Sequence, residues 1–174
     1  MGYSEKFKLL VLGDSTVGKT SILDRYTNGV FNANYLATAN IDNFKKDEII
    51  NNKIIRINIW DTPAQLKYYS LAKGFFRNIQ GIMVVFDVTK SEKYENAKYW
   101  IQSIKINMGI DIDEISLVII GNKMDSNERE VNKKEAEIYC AELGYPYFET
   151  SAKTGENINE TIKYLIKEVL KKTI

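Results

Sequence analysis

The sequence FKLLVLGDSTVGKT, residues 7–20, places an apolar run directly before a glycine-rich loop. Its last eight residues fit G-x-x-x-x-G-K-[ST], the pattern of a phosphate-binding loop. Gly13 and Gly18 permit the backbone angles that turn successive N–H groups toward one anion. Lys19 can place its ammonium on the β- and γ-phosphates, and Thr20 offers a hydroxyl to Mg²⁺. A helix expected to begin near Thr20 adds the positive end of its dipole.

The eight-residue pattern alone also fits an ordinary glycine-rich turn between a strand and a helix. The strand before it and the amphipathic residues 21–26 after it favour the phosphate-binding interpretation. The stretch therefore predicts a strand, a phosphate loop and a helix in series.

Composition indicates a globular chain with a substantial core. Of 174 residues, 44% are hydrophobic and 27% are charged, so we expect a single domain over residues 1–174. The net charge of +1 gives no electrostatic indication of nucleic-acid binding. The absence of histidine excludes His-based triads and His metal sites. The single cysteine, Cys140, excludes an internal disulfide, fits a reducing, cytoplasmic environment, and is expected to be a small buried apolar residue.

Strand-like and helix-like stretches alternate along the chain. This order predicts an α/β fold with a six-stranded, mostly parallel sheet covered by helices on both faces, as in P-loop NTPases. Asn51-Asn52 has hairpin chemistry and predicts one antiparallel edge pair. In the helix expected over residues 91–108, Tyr99 is predicted to be one of the buried apolar positions. The expected strands are residues 7–12, 41–50, 53–60, 81–87, 115–120 and 146–150, and the expected helices begin near 20 and span 91–108, 133–143 and 155–172.

Polar residues follow the third predicted strand, where the sequence reads WDTPAQ over residues 60–65. Asp61 can hold Mg²⁺, usually through water, and Gln65 can orient an attacking water. Taken alone, this stretch is equally compatible with a strand end followed by polar turn residues.

Residues that follow two further predicted strands can recognise a purine base. A carboxylate at Asp125 can accept hydrogen bonds from the N1–H and 2-amino groups of guanine, a donor pair that adenine lacks. Asn122 can bridge to the phosphate loop, and the Lys123 stem can cover the base. Later in the chain, the Ala152 N–H can contact the guanine oxygen while Ser151 braces Asp125. Each motif is weak alone, but all follow apolar strands whose carboxyl ends meet in one crevice.

With these motifs the sequence resembles the Rab family of the Ras superfamily of small GTPases, over about residues 7–170. The resemblance implies binding of GDP and GTP with Mg²⁺, slow GTP hydrolysis without an activating partner, and a switch role in vesicle trafficking. Residues 31–38 look like the first switch, with Phe31 packing on guanine and Thr38 binding Mg²⁺ when the γ-phosphate is present. Residues 81–89 resemble the Rab strand G-I-x-V-V-Y-D-V-T.

The resemblance also assigns roles by position. It implies effector, exchange-factor and GTPase-activating partners that contact the switches and an aromatic triad of Phe44, Trp60 and Phe75, although ordinary apolar packing explains these aromatics equally well. It implies Mg²⁺ contacts from Thr20, Thr38 and Asp61, and catalytic roles for Gln65, Lys19 and Thr38. Expected nucleotide contacts are Asp14, Ser15, Thr16, Val17, Gly18, Lys19, Thr20, Ser21, Phe31, Tyr35, Thr38, Ala64, Asn122, Lys123, Asp125, Ser151, Ala152 and Lys153.

The second switch departs from the family pattern W-D-T-A-G-Q-E. Pro63 fixes φ and lacks an N–H, Ala64 adds a Cβ where the family has a glycine hinge, and Leu66 replaces a carboxylate. In the phosphate loop, Thr16 stands where Rab proteins usually have glycine, and Asn43 is an extra residue before the first aromatic of the triad.

Two functional hypotheses follow from these departures. The chain is either a slow GTPase switch or a guanine-nucleotide-binding scaffold with little hydrolysis. We favour the GTPase because Thr38, Asp61 and Gln65 are retained. A P-loop kinase is set aside because Asn122 and Asp125 supply a guanine reader. We expect a monomeric domain without nucleic-acid partners, peripheral on intracellular membranes if a prenylated tail follows Ile174.

Overall fold

The computed structural model describes residues 4–34, 40–64, 77–107 and 114–173. Strands and helices alternate through most of these ranges, as the sequence predicts. In chain order the elements are β1 (Glu5–Leu12), α1 (Lys19–Asn28), β2 (Asp42–Ile50), β3 (Lys53–Asp61), β4 (Gly81–Asp87), α2 (Ser91–Asn107), β5 (Ser116–Asn122), α3 (Lys133–Glu142), β6 (Tyr147–Thr150) and α4 (Ile158–Thr173).

The six strands form one sheet in the order β2-β3-β1-β4-β5-β6. All neighbouring strands pair in parallel except β2 and β3, which pair antiparallel at one edge. The predicted α/β class, strand number and antiparallel edge are therefore confirmed. Because parallel strands point the same way, the loops after β1, β3, β4, β5 and β6 meet at one edge of the sheet.

Apolar side chains form a core on each face of the sheet. One cluster packs α1 and α4 against the sheet, and the other packs α2 and α3 against its opposite face. Every residue of β4 and β5 is buried, as expected for central parallel strands covered on both sides. Cys140 is 1% exposed within the second cluster, which confirms its prediction as a small buried residue.

The turn between β2 and β3 fixes how these strands pair. Asn51 and Asn52 both adopt positive φ, 51° and 60°, as a two-residue hairpin turn requires. From this turn the register runs without interruption, and it places Asn43 opposite Trp60. β2 therefore contains no bulge that would absorb the extra residue expected at Asn43.

The register places Phe44 and Trp60, two members of the expected aromatic triad, on opposite faces of the sheet. Successive residues of a strand point to opposite faces, so Phe44 faces away from the side that carries Asn43 and Trp60. Phe44 packs against the core cluster of α1 and α4, whereas Trp60 packs against the cluster of α2 and α3. The position beside the Trp60 indole is held by a polar amide. Phe75, the third member of the predicted triad, lies outside the described residues.

Two smaller expectations also need correction. Helix α4 begins at Ile158 and not at residue 155, because Gly155 and Asn157 have positive φ values of 88° and 59°, which interrupt a right-handed helix. Tyr99, predicted as an apolar position of α2, is 52% exposed, while Trp100 is buried. The buried residues Ala97, Trp100, Ile101 and Ile104 define the face of α2 that packs on the sheet, and at 100° per residue Tyr99 lies on nearly the opposite side of the helix.

Within the described ranges, no helix has both the length and the apolar character needed to cross a bilayer.

The Asn51-Asn52 turn generates a stability prediction. Asn52→Ala should lower the free energy of unfolding by about 1 kcal/mol, because alanine is strained at positive φ. Asn52→Gly should leave it within about 0.5 kcal/mol of the starting protein, because glycine accepts this conformation. Urea denaturation of the three proteins measures the difference. Equal losses in both variants would show that the asparagine side chain, and not the backbone angle, stabilises the turn.

Candidate functional site

A cleft of about 470 Å³ lies at the sheet edge where the strand-end loops meet. Its size is in the range of small-molecule sites. Thirteen residues expected to contact nucleotide line it, together with five that the sequence did not single out. The lining residues are Ser15, Thr16, Gly18, Lys19, Thr20, Ser21, Phe31, Asn32, Ala33, Ala64, Thr89, Asn122, Lys123, Asp125, Ser126, Glu128, Ala152 and Lys153.

The loop between β1 and α1 requires its two glycines for lack of space as well as for conformation. A Cβ on Gly13 would lie 2.2 Å from the backbone oxygen of Val85. A Cβ on Gly18 would lie 2.3 Å from the Asn122 Nδ2 atom, and Gly18 has φ of 98°. The loop is therefore in direct contact with β4 and with the end of β5, and α1 begins immediately after it at Lys19.

Lys19 lies at the base of the cleft with its ammonium group directed at the loop. Its Nζ donates hydrogen bonds to the backbone oxygens of Gly13 and Asp14, each at 2.8 Å. Burial lowers the pKa of Lys19 to about 8, an effect opposed by the nearby carboxylates of Asp61 and Asp14. An anion entering the cleft would favour the charged form of this lysine.

Thr16 adopts φ of 66° in this loop. A β-branched residue rarely occupies the left-handed region, since its Cβ crowds the backbone there. The position that Rab proteins usually fill with glycine thus keeps a glycine-like conformation in this chain.

Of the expected nucleotide contacts that the structure describes, three do not line the cleft. Val17 and Ser151 are fully buried, and the Asp14 side chain is 7% exposed and directed toward α2. The Asp14 carboxylate accepts hydrogen bonds from Asn96 and from the Trp100 indole N–H. These positions can act on a ligand through their backbone or through a neighbouring side chain.

Thr20 and Asp61 provide a pair of oxygen groups at one end of the cleft. The Thr20 hydroxyl donates a hydrogen bond to an Asp61 carboxylate oxygen, although the two residues are 41 positions apart in the chain. Asp61 is fully buried at the end of β3. A hydroxyl and a carboxylate beside an ammonium group form a donor set that suits Mg²⁺ next to phosphate oxygens.

The Asn122 side chain joins the three loops of the cleft. Its Nδ2 donates to the Val17 backbone oxygen of the phosphate loop at 2.9 Å. Its Oδ1 accepts hydrogen bonds from the Thr150 hydroxyl and from the Ala152 N–H, both at 3.2 Å. Asn122 is 1% exposed, so these bonds are shielded from water.

The residues expected to read the base are also linked to one another. The Ser151 hydroxyl donates to an Asp125 carboxylate oxygen at 2.6 Å. The Lys123 ammonium pairs with the buried carboxylate of Asp87 at 2.6 Å. The Asp125 carboxylate and the Lys123 stem therefore lie on the cleft lining in positions fixed by partners behind them.

Arg25 has a part in the site that the sequence did not indicate. Its Nε donates to the Ala152 backbone oxygen at 2.9 Å and its Nη2 donates to that of Lys153 at 2.6 Å. It thereby attaches the loop after β6 to α1. No local motif marks this arginine, because its partners are backbone atoms more than 120 residues away.

A second unpredicted group lies behind the loop after β5. Arg129 makes two hydrogen bonds to the Glu149 carboxylate, at 2.9 and 2.7 Å, and the Tyr147 hydroxyl donates to the same carboxylate. Glu149 is 7% exposed and lies in β6, next to the loop that carries Ala152. The loops after β5 and β6 are thus held together by a charge-assisted pair.

Ala64 lines the cleft but is not among the residues with positive φ. The strain expected from placing an alanine at a positive-φ hinge is therefore absent from this conformation. Tyr35, Thr38, Gln65 and Leu66 lie outside the described residues.

Comparison with known proteins identifies relatives over almost the whole chain. The family model described as Ras family matches residues 8–171. Rab-27B from Homo sapiens is 35% identical, with 98% of this chain and 82% of the relative covered. Rab-13 from Bos taurus is 35% identical over 98% of this chain and 83% of its own length, and Rab-8B from Homo sapiens is 36% identical over 98% and 81%. The chain therefore belongs to the Ras family of small GTPases and is of the Rab type.

Proposed function

We propose that this chain is one guanine-nucleotide-binding domain that binds GDP and GTP with Mg²⁺ and hydrolyses GTP slowly. The observation that carries the proposal is the position of Asn122, which bonds to the phosphate loop on one side and to the loop after β6 on the other. The loop assigned to the phosphates and the residues assigned to the base are thus connected across one cleft. A nucleotide is the ligand that carries a phosphate chain and a base together.

Base selection is assigned to Asp125. A carboxylate that is itself held by Ser151 cannot turn away from the base without breaking that hydrogen bond. With guanine it accepts from two donors, whereas adenine would present a lone pair and leave the charge poorly paired. The Lys123 stem, fixed at its tip by Asp87, is placed to cover one face of the base.

The phosphates are assigned to the loop N–H groups, Lys19 and the start of α1. When bound, Mg²⁺ would be held by Thr20 and Asp61 and would neutralise charge on the phosphate oxygens. Lys19 supplies a second positive charge close to the same group, since its ammonium interacts with the Asp61 carboxylate. These residues hold the reacting group in place, which is most of what phosphoryl transfer requires from a protein.

Hydrolysis is proposed to be slow because intrinsic rates in this class are low without an arginine supplied by a partner, and the second switch also carries Pro63, Ala64 and Leu66. The retained Gln65 is assigned to orient the attacking water, and Thr38 is assigned to Mg²⁺ and the γ-phosphate. The alternative, a binding scaffold with little hydrolysis, is favoured by the same substitutions at positions 63, 64 and 66. The choice depends on whether the loop after β3 can close on the γ-phosphate.

A role as a switch in vesicle trafficking follows from the Rab resemblance, with effector, exchange-factor and activator proteins as partners. The partner-binding surface differs from the family expectation at one place, because Asn43 stands beside Trp60 and Phe44 points to the other face. Partners are therefore expected to contact the Trp60 indole next to an amide. Membrane association by prenylation is proposed only if a prenylatable tail follows Ile174.

Asp125→Ala tests the base assignment. We expect at least about a 100-fold loss of GDP affinity, because the carboxylate that pairs with guanine is removed. Fluorescence titration with a ribose-labelled GDP measures the affinity, with ATP as competitor. Asp24→Ala, on α1 and outside the cleft lining, is the control and should bind normally. Unchanged affinity in Asp125→Ala, or displacement of GDP by equimolar ATP, would contradict guanine recognition.

Single-turnover hydrolysis of preloaded GTP with Mg²⁺ separates the two candidate functions. We expect slow GDP formation that falls about tenfold or more in Gln65→Leu, because leucine cannot orient water. If GTP stays tightly bound and neither protein forms GDP, the chain acts as a binding scaffold.

Ala64→Gly tests the altered hinge. If closure on the γ-phosphate needs positive φ at this position, alanine costs about 1–2 kcal/mol that glycine does not. The variant should therefore hydrolyse GTP faster, or show a larger difference in tryptophan fluorescence between its GDP- and GTP-bound forms. Identical rates and spectra would show that the alanine does not restrain the switch.

A further inference from the structure

Asp14 lies in the phosphate loop, yet its side chain forms hydrogen bonds with helix α2. Three donors from α2 converge on its carboxylate. The Trp100 Nε1–H donates to Oδ1 at 3.0 Å, while Asn96 Nδ2 and, at 3.4 Å, Lys93 Nζ approach Oδ2. The donors stand at positions i, i+3 and i+7 of the helix, which is the spacing that places side chains on one face.

Burial makes this contact strong. Asp14 is 7% exposed and Trp100 is 3% exposed, so water competes little for their hydrogen bond. A buried carboxylate is tolerated only when hydrogen bonds or charges satisfy it, and hydrogen bonds donated to an ionised acceptor are about twice as strong as those between neutral groups. The Lys93 ion pair is more open to solvent and contributes less. The indole and the amide therefore carry most of the attachment.

The attachment acts on the part of the loop that is proposed to hold phosphates. The Asp14 backbone oxygen accepts one of the two hydrogen bonds that position the Lys19 ammonium. The next residues, Ser15 and Thr16, line the cleft. If the Asp14 side chain is released from α2, the start of the loop loses its fixed position and the row of N–H groups loses its shape.

We infer that Asn96 and Trp100 of α2 are positioning residues that hold the phosphate loop through Asp14 and thereby slow the release of bound nucleotide. The inference rests on the proposed function, since it concerns the residence time of the same ligand. It assigns α2 a task beyond covering the sheet. A nucleotide leaves when the loop opens, and opening is easier when the loop is no longer tied to a helix.

The dissociation rate of ribose-labelled GDP, chased with excess GDP in Mg²⁺, tests the inference. Trp100→Phe keeps an aromatic ring in the core but removes the N–H donor, and Asn96→Ala removes the amide from a partly exposed position. Each should raise the rate by about fivefold or more, as expected when a hydrogen bond to a charged group is lost. Ile101→Val, which trims the core on the same helix without a bond to Asp14, should lower the melting temperature and leave the rate unchanged.

A double-mutant cycle distinguishes positioning from general destabilisation. In an Asp14→Ala background, Trp100→Phe should add little to the rate, because its acceptor is already gone. Three outcomes would each overturn the inference. The two substitutions could raise the dissociation rate independently, so that their effects multiply in the double mutant; the rate could follow the melting temperature in all variants, including Ile101→Val; or the variants could release GDP at the rate of the starting protein. Failure of the starting protein to bind labelled GDP would instead overturn the proposed function, and the inference with it.

Discussion

The arrangement of the cleft depends on a single buried amide. Asn122 donates to the backbone of the phosphate loop and accepts from the loop after β6, so its position fixes the distance between the two ends of the site. An aspartate there would lack the donor for Val17, and a shorter side chain would leave buried backbone groups unsatisfied. The same amide explains why Gly18 must be glycine, since a Cβ would occupy the space of Nδ2. The side chain at the end of β5 thus determines which residue the loop before α1 can have at position 18.

Around this amide, helices α1 and α2 hold the loops of the cleft in position through hydrogen bonds. Arg25 of α1 holds the backbone of the loop after β6, and α2 holds Asp14. Glu149 and Arg129 join the two loops on the base side. Side chains near the ligand are therefore oriented by partners in regular elements, which is the way rigid sites are built. The loop after β3 carries Pro63 and Ala64, two of the departures from the Rab pattern of the second switch.

Local chemistry in the sequence was sufficient to predict the alternation of elements, the phosphate loop and the hairpin at Asn51-Asn52. Each of these depends on residues close together in the chain. The Arg25 and Glu149 contacts could not be predicted, because they join segments far apart and involve residue types common on any surface. The face of the sheet on which Phe44 lies was missed for a different reason. A family pattern matches residues by their order in the sequence, whereas the strand pairing that starts at the turn decides which face each side chain points to. Tyr99 was missed for a similar reason, since its apolar character suggests burial, whereas the buried face of α2 is set by Ala97, Trp100, Ile101 and Ile104 and leaves Tyr99 on the far side.

The hairpin of β2 and β3 reaches the candidate site at the end far from its turn, where Asp61 accepts a hydrogen bond from Thr20. None of the residues of β2 lines the cleft, and its outward side chains, such as the 74% exposed Ile49, have no part in holding the phosphate loop. Substitutions of these exposed side chains therefore leave the lining of the cleft unchanged. The outer surface of this edge can therefore change by mutation while the lining of the cleft stays the same, and a shift of one residue in the pairing of β2 would present a new row of side chains in a single event.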